Sequence, residues 1–298
     1  MRIGIDLGGT KIEGVVLDEK NIVKARIRRP TPRDSYAEIV GLIVELVKEL
    51  EREVSSTCSV GIGTPGAISP HTGRIKNSNT VVLNGKNLKA DLQDAVGKPL
   101  LIANDANCLA LSESVDGAAA GAQSVFGVII GTGTGGGLVI NGRVVSGANA
   151  IAGEWGHNPL PVRDAIDEPC IECYCGKKAC IETYLCGAGL SRLHRFLGGS
   201  EESAEHISSR AGDGDRLALN TVDVYAQRLA RALASVINIV DPEVVVFGGG
   251  LSKLPSLTEL LDKHLPRFVF SDHVATKMKI ALHGDASGVR GAAWLPPA

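Results

Sequence analysis

The 298-residue chain lacks a block of charge of either sign: its 31 basic and 33 acidic residues leave a formal net charge of -2. Without a basic block the composition does not indicate nucleic-acid binding, and without an acidic tail it does not indicate a solvating arm. The sequence also lacks the apolar run of roughly 18 residues that a membrane helix needs. No signal-peptide pattern precedes the strand-like start MRIGIDLG, so we expect a cytoplasmic protein.

Low-complexity linkers are absent as well, and the length fits one large domain or two of ordinary size. Apolar residues make up 44% of the chain, which is enough to form a core. In a reducing compartment the seven cysteines are better candidates for ligands or core residues than for disulfides. Cys58 and Cys108 lie in apolar surroundings and are predicted to be core residues, whereas Cys170 and Cys186 flank a cysteine cluster.

A rough internal repeat is present in the sequence. Residues 3–23 and 127–145 each contain an apolar run, a Gly/Thr turn, a second apolar run and a polar turn. This pattern predicts two β-hairpins, each with a glycine-rich first turn. Two copies of one unit predict two lobes of related topology.

The segments between and after these hairpins fit an α/β pattern. Residues 35–53 and 221–240 show helical spacing of apolar residues, the first with a Ser/Glu capping-box spacing. Short apolar runs at 60–63, 100–103 and 244–247 predict buried strands. Strands that alternate with helices predict largely parallel sheets with helices on their faces and a ligand site at the strand ends.

Three glycine-rich loops follow predicted strands, at residues 6–11, 131–137 and 248–250. Their glycines let the backbone approach a ligand and direct N–H groups at phosphate oxygens, although glycines in such loops also serve tight turns alone. Thr10 and Lys11 add a hydroxyl and a cation, and Asp6 suits a magnesium ion because that cation prefers oxygen ligands. The spacings match neither a Walker A loop nor a Rossmann fingerprint.

Asp105 follows a predicted strand and opens a predicted helix. One interpretation is a helix N-cap. The other is a general base, since phosphoryl transfer to an alcohol needs a carboxylate that accepts the hydroxyl proton. Asn104 would then hydrogen-bond a neighbouring hydroxyl.

One imidazole and three thiols lie close together in the sequence, at His157, Cys173, Cys175 and Cys180. Together they make a complete tetrahedral zinc set. A catalytic zinc needs an open coordination position, and four protein ligands leave none, so the predicted zinc is structural.

These segments together resemble the ROK family of bacterial sugar kinases, within the actin/hexokinase superfamily. The matching segments span nearly the whole chain in order: IGIDLGGTK, TPG at 64–66, NDANC, GTGTGGG, GEWGH, CYCGKKACIE, VVFGGGLS and HGDASGVRGAAW. The resemblance implies an α/β fold with two lobes of ribonuclease-H-like topology that close on ATP and a sugar. It also implies a homodimer and a magnesium ion. The family usually has glycine before the last cysteine of the cluster, where this chain has Ala179.

The resemblance implies roles for individual residues. Asp105 would be the base, and the sugar would be bound by Asn104, Asp105, Glu154, His157, Glu182 and Gly66. The nucleotide would be held by Gly4, Ile5, Asp6, Leu7, Gly8, Gly9, Thr10, Lys11, Gly133, Thr134, Gly135, Gly136, Gly137, Leu138, Val139, Ile140, Gly249 and Gly250. His157, Cys173, Cys175 and Cys180 would bind the zinc.

Within the family the chain looks most like the fructokinase branch, also called mannokinase. We therefore expect phosphorylation of fructose, with mannose and glucose as further candidate substrates. The alternatives are an N-acetylglucosamine or N-acetylmannosamine kinase and a non-catalytic sugar sensor. A repressor of this family would carry a helix-turn-helix before the first glycine loop, which here starts at residue 4. We expect an N-terminal lobe at 1–117, completed by a helix at 286–298, and a C-terminal lobe at 118–285 with the zinc segment at 157–180.

Overall fold

A computed structural model describes residues 1–161, 163, 165–167 and 170–296. Its strands are β1 (Arg2–Leu7), β2 (Lys11–Leu17), β3 (Val23–Pro30), β4 (Ser59–Thr64), β5 (Ala67–Ile68), β6 (Ile75–Lys76), β7 (Leu100–Asn104), β8 (Ser124–Ile130), β9 (Thr134–Ile140), β10 (Arg143–Val144), β11 (Val244–Gly248) and β12 (Lys277–Ile280). Its α-helices are α1 (Tyr36–Glu53), α2 (Leu88–Val96), α3 (Asp105–Val115), α4 (Ile181–Leu185), α5 (Gly187–Phe196), α6 (Ala204–Gly212), α7 (Arg216–Val240), α8 (Leu257–His264) and α9 (Ser287–Trp294).

The first sheet has the order β3-β2-β1-β4-β7. Strands β1, β2 and β3 are antiparallel neighbours, whereas β1, β4 and β7 are parallel. The register pairs Asp6 with Gly63 and Thr64 with Asn104. Since carboxyl ends of parallel strands meet at one edge of a sheet, β1 and β7 deliver Asp6 and Asn104 to the same edge.

Helix α9 lies directly against the first sheet because glycines leave room for it. A Cβ on Gly4 would lie 2.0 Å from the Val289 carbonyl oxygen, and one on Gly61 would lie 1.9 Å from that of Ala292. No side chain fits into such a gap, so glycine is required at both positions. The β1 side chains of Ile3, Ile5 and Leu7 are fully buried in the core.

The second sheet has the order β10-β9-β8-β11-β12, with β11 parallel to both β8 and β12. Its central strand is again the first strand of a glycine-rich hairpin, as in the first sheet. The two predicted hairpins and the internal repeat are therefore confirmed. Strand β8 ends immediately before the loop at 131–133, and β11 ends at Gly248.

Two predicted helices form as their end signals indicate. Helix α1 begins after Ser35, whose hydroxyl accepts a hydrogen bond from the Glu38 N–H at 3.3 Å. Helix α7 extends the predicted 221–240 segment towards the N-terminus, to Arg216, and ends before Asp241, which adopts a left-handed conformation. The residue after it, Pro242, prevents further helix.

Residue contacts divide the chain into two compact units. Unit 1 contains residues 1–120, 137–152 and 285–298, and unit 2 contains 121–136 and 153–284. The predicted lobe boundaries and the cleft stay predictions. Helix α9 occupies 287–294 of the helix predicted at 286–298, whose last two residues lie outside the described part of the chain, as do four residues of the zinc segment. Among the described residues, no helix combines the length and apolar character needed to cross a membrane.

Candidate functional site

Asp105 in unit 1 is the first residue of α3, and the cap of that helix is its neighbour Asn104. The Asn104 side-chain oxygen accepts a hydrogen bond from the Ala106 N–H at 2.9 Å, and its amide group donates to the Gly66 carbonyl at 3.1 Å. The Asp105 carboxylate also accepts from the Ala106 N–H, at 2.8 Å. Asp105 is therefore not needed as the N-cap, which favours its interpretation as a functional carboxylate.

Gly66 accepts the hydrogen bond that positions the Asn104 side chain, and only glycine fits at this position. Its φ is +79°, and a Cβ there would lie 2.4 Å from the Lys76 carbonyl oxygen in the paired strand β6. Both the backbone conformation and the close approach require glycine. The predicted sugar residues Asn104 and Gly66 thus contact each other in the structure.

Asp6 lies at the same edge of the first sheet, at the end of β1. Desolvation, followed by the negative charges of Asp105 and Glu13, raises the pKa of Asp6 to about 7, while Lys11 partly opposes the shift. Carboxylates that repel one another in this way are the donors a divalent cation neutralises. Asp6 therefore fits the predicted magnesium ion.

The first glycine loop has fewer available N–H groups than the sequence suggested. The Gly8 N–H donates to the Lys11 carbonyl at 3.0 Å, and the Thr31 hydroxyl donates to the Gly8 carbonyl at 2.7 Å. Gly8 is thereby committed to the turn, and its N–H is not available to a phosphate. Gly4, Ile5 and Leu7 are buried within β1, so any contribution from them to nucleotide binding is through the strand they form.

The second glycine loop is held in unit 2 by a carboxylate. The Thr134 N–H donates to Oε2 of Glu182 at 3.0 Å, and the Gly131 N–H donates to the Gly133 carbonyl at 3.0 Å. The Gly187 N–H, at the start of α5, donates to the Gly131 carbonyl at 2.7 Å. These bonds fix the loop in one conformation, and Glu182 contacts the loop as well as lying beside the cysteine cluster.

The GEWGH segment packs on this loop through two close approaches. The Trp155 indole N–H donates to the Gly135 carbonyl at 3.0 Å, and a Cβ on Gly156 would lie 2.1 Å from the Thr134 carbonyl oxygen. Glu154 and His157 flank this contact and are joined by a bond from the His157 N–H to the Glu154 carbonyl at 3.3 Å. The two predicted sugar residues are therefore held next to the loop.

The predicted zinc ligands come together in unit 2. The ligand atoms of His157, Cys173, Cys175 and Cys180 all lie within 4.8 Å of one another. Nδ1 of His157 is 3.7 Å from Cys173 Sγ, and the Sγ atoms of Cys175 and Cys180 are 3.6 Å apart. A tetrahedral zinc with bonds of about 2.0–2.3 Å has edges of about 3.3–3.8 Å, so both separations fit that ion.

Ala179, the residue that departs from the family pattern, adopts a φ of +58°. This left-handed conformation costs an alanine about 1–2 kcal/mol and is tolerated by glycine. Two backbone bonds hold the residue, from Ala179 N–H to Ile171 and from Leu160 N–H to Ala179, each 2.9 Å long. The turn therefore forms despite the substitution, and Cys180 reaches the cluster.

Tyr174 is a neighbour of the cluster that sequence reasoning missed. Its hydroxyl lies 3.1 Å from Nε2 of His157, and the two rings meet edge to face with centroids 5.2 Å apart. Desolvation and the charges of Glu182 and Glu154 raise the pKa of Tyr174 to about 12. The signal available in the sequence was its position between two predicted ligands.

The remaining predicted nucleotide residues lie in or beside strands, where two of the glycines pack closely against backbone. Gly137 to Ile140 lie in β9, and a Cβ on Gly137 would lie 2.4 Å from the Ala106 carbonyl oxygen. Gly249 has a φ of +84°, and a Cβ there would lie 2.3 Å from the Ile130 carbonyl oxygen. Gly250 opens a short 3-10 helix beyond it. Cys186 is buried, and Cys170 accepts a hydrogen bond from Arg163.

Two curated relatives match the chain over nearly its whole length. The N-acetyl-D-glucosamine kinase of Escherichia coli O6:H1 (strain CFT073) is 41% identical over 300 residues, with 99% of each chain covered. The N-acetyl-D-glucosamine kinase of Vibrio parahaemolyticus serotype O3:K6 is 39% identical, again with 99% of each chain covered. Both matches extend across the two units and both glycine loops.

Solved structures also match. The ROK hexokinase from Thermus thermophilus has a TM-score of 0.85 and 30% identity, with 99% of this chain and 97% of that chain covered. The ROK family glucokinase from Streptomyces griseus, solved with glucose and AMPPNP, has a TM-score of 0.80 and 27% identity, with 99% and 98% covered. The described part of the chain therefore has the α/β fold of these kinases, with two five-stranded sheets.

These comparisons support an ATP-dependent sugar kinase and correct one expectation. The resemblance to the fructokinase branch is not supported, because the two curated relatives phosphorylate, by their names, N-acetyl-D-glucosamine. Since the family model matches residues 2–298, the chain belongs to the ROK family.

Proposed function

We propose that the protein is an ATP-dependent N-acetyl-D-glucosamine kinase that transfers the γ-phosphoryl group of ATP to the 6-hydroxyl of the sugar. The observation that carries this proposal is the full-length match to N-acetyl-D-glucosamine kinases of two bacteria, which replaces fructose as the expected substrate. An N-acetylmannosamine kinase is the related alternative, because its substrate differs only in the configuration of the ring carbon that bears the acetamido group.

Asp105 is the proposed general base. A carboxylate that orients the attacking hydroxyl and accepts its proton is what phosphoryl transfer to an alcohol requires. The bond from the Ala106 N–H to the Asp105 carboxylate and the clamp from Asn104 to Gly66 restrict both side chains before substrate binds. Such preorganisation lowers the cost of reaching the reactive geometry.

The glycine loops are proposed to hold the phosphates through backbone N–H groups, with the Lys11 ammonium adding a positive charge. Asp6 is proposed to bind the magnesium ion. Magnesium supplies charge neutralisation for the phosphate oxygens during transfer.

His157, Cys173, Cys175 and Cys180 are proposed to bind a structural zinc ion, because their donor atoms and separations fit it. A closed tetrahedral site supplies rigidity instead of an open coordination position. Glu182 lies two residues after Cys180, and its Oε1 lies 3.9 Å from Cys173 Sγ. The zinc would therefore fix both His157 and Glu182, which are proposed sugar residues of unit 2.

The decisive experiment is a coupled assay of ADP release over a panel of N-acetylglucosamine, N-acetylmannosamine, glucose, mannose and fructose. We expect the highest kcat/KM for N-acetylglucosamine. A higher value for another sugar would contradict the proposed substrate, and absence of ADP release with every sugar would favour the non-catalytic sensor. The homodimer implied by the family stays a prediction, which light scattering of the purified protein tests.

A further inference from the structure

Thr31, the residue directly after β3, contacts the first glycine loop in two places. Its hydroxyl donates to the Gly8 carbonyl at 2.7 Å, and its backbone N–H donates to the Thr10 carbonyl at 3.0 Å. These two carbonyls lie on either side of Gly9. Thr31 is only 8% exposed, so water competes little for either bond. One buried residue therefore anchors both sides of the loop within unit 1.

Two prolines flank Thr31 and restrict its backbone. Pro30 and Pro32 lack a backbone N–H, so Thr31 supplies the only backbone donor among these three residues. A residue that precedes proline is also disfavoured in the helical region and adopts extended conformations. The Pro-Thr-Pro sequence thereby leaves Thr31 little conformational freedom to lose when its N–H bonds to Thr10.

The contact with the Gly8 carbonyl also sets the direction of an N–H group in the loop. A trans peptide is planar, and its C=O and N–H groups point in opposite directions. The N–H of the peptide that carries the Gly8 carbonyl belongs to Gly9. Because this carbonyl points to Thr31, the Gly9 N–H points away from the buried threonine. Gly9 and Thr10 are themselves exposed, so a ligand has access to this part of the loop.

We infer that Thr31 is a positioning residue for the nucleotide: it holds the Gly8 and Thr10 carbonyls and thereby presents the Gly9 N–H to a phosphate oxygen of ATP. This inference rests on the proposed function, in which the glycine loops hold the phosphates. A loop that is ordered before the ligand arrives binds more tightly, because less entropy is lost on binding. Thr31 does not itself contact the nucleotide and acts only through the loop.

The test is Thr31→Val, which removes the hydroxyl and keeps the branched shape of the side chain. Calorimetry measures the affinity for a non-hydrolysable ATP analogue, and steady-state kinetics measure kcat and the KM values for ATP and N-acetylglucosamine. We expect the analogue affinity to fall and the KM for ATP to rise by about three- to tenfold. The kcat and the KM for the sugar should change by less than about twofold. Thr31→Ser keeps the hydroxyl and should retain the affinity of the unmodified protein.

Thr80→Val is the matched control. Thr80 is 7% exposed, and its hydroxyl oxygen lies 3.8 Å from the position that a Cβ on Gly9 would take. In the described part of the chain this oxygen has no hydrogen-bond partner. Thr31→Val and Thr80→Val therefore remove the same group beside the same loop, and only the first breaks a hydrogen bond. We expect Thr80→Val to leave the analogue affinity unchanged.

Nuclear magnetic resonance of the unmodified protein gives a second readout, since the Gly9 amide resonance should shift when the analogue binds. The inference would be overturned by unchanged affinity in Thr31→Val, by equal weakening in Thr31→Ser or Thr80→Val, or by an unshifted Gly9 amide. Failure of the proposed function is separate, because it would appear in the unmodified protein as a lack of ADP release with N-acetylglucosamine.

Discussion

The Glu182 carboxylate accepts a hydrogen bond from the Thr134 N–H at 3.0 Å. Its other oxygen lies 3.9 Å from Cys173 Sγ, in the proposed zinc cluster. One side chain therefore joins the second glycine loop to the metal-binding segment within unit 2. The proposed sugar and nucleotide elements of this unit are consequently coupled through a single carboxylate.

Glu182→Ala should weaken nucleotide binding as well as sugar binding, because the Thr134 N–H loses its partner. A hydrogen bond to a charged group contributes about 1.5–3 kcal/mol, so we expect roughly ten- to hundredfold weaker binding of a non-hydrolysable ATP analogue. Glu182→Gln keeps an acceptor oxygen and should retain most of this affinity. Calorimetry with the analogue measures both, and unchanged affinity in Glu182→Ala would show that the loop does not depend on this bond.

Asp105→Asn should lower kcat by about two to four orders of magnitude, because an amide cannot accept the hydroxyl proton. The affinity for ATP should change little. Steady-state kinetics with N-acetylglucosamine measures the effect, and Asp94→Asn in α2 serves as the control for loss of one negative charge. Near-normal turnover in Asp105→Asn would remove the base assignment.

Removal of the metal should abolish sugar binding while nucleotide binding largely survives. We expect one zinc per chain by elemental analysis, and loss of the zinc after treatment with a strong chelator or in Cys175→Ser. Cys58→Ser changes a cysteine of unit 1 and should keep the metal. Active protein that contains no zinc would contradict the prediction.

Gly66→Ala should destabilise the protein more than Gly73→Ala does. Both glycines have positive φ, +79° and +70°, so both substitutions carry the left-handed penalty of about 1–2 kcal/mol. Only at Gly66 would the new Cβ meet backbone, at 2.4 Å from the Lys76 carbonyl, whereas nothing lies within 4 Å at Gly73. Chemical denaturation of the two variants isolates the steric cost, and only Gly66→Ala should also weaken sugar binding, through Asn104.

Glu13 should contribute stability that disappears in acid. The Glu13 side chain is 1% exposed, and burial alone would raise the pKa of this carboxyl group. Hydrogen bonds from Arg28 and Arg26, together with the charges of these arginines, outweigh burial and lower the pKa of Glu13. A lowered folded-state pKa means that the contribution is complete above the ordinary value of 4.5 and is lost as the pH falls through the folded-state pKa.

We therefore expect Glu13→Gln to cost roughly 1–3 kcal/mol at pH 7, since both arginines are half exposed and solvent screens them. The difference in the free energy of unfolding between Glu13→Gln and the unmodified protein should shrink below about pH 4. Urea denaturation at the two pH values measures it, and a constant difference would mean that the carboxylate charge is not responsible.

The repeated hairpins, helices α1 and α7 and the convergence of His157 with three cysteines could be predicted because their signals are local. Ser35 and Asp241 mark helix ends by their own chemistry, and an imidazole with three thiols in a short stretch is typical of a metal site. These elements depend on neighbours in sequence.

Other features depend on long-range contacts that no spacing reveals. Gly4 packs against α9, which lies near the other end of the sequence. From the sequence alone, a glycine that makes room for a helix cannot be told from one that contacts a phosphate. The Gly8 and Thr134 N–H groups are already used, by Lys11 and Glu182. The proposed sugar follows from the comparison with full-length relatives and not from the short segments.

Ala179 holds a left-handed conformation that is unfavourable for alanine, one residue before the proposed ligand Cys180. The Ala179 N–H donates a hydrogen bond to the Ile171 carbonyl, and the Leu160 N–H donates one to the Ala179 carbonyl. Their hydrogen exchange should therefore report the occupancy of the metal site directly: slow exchange when it is filled and fast exchange when it is empty. The strained alanine before Cys180 thereby offers a probe of the proposed zinc ion.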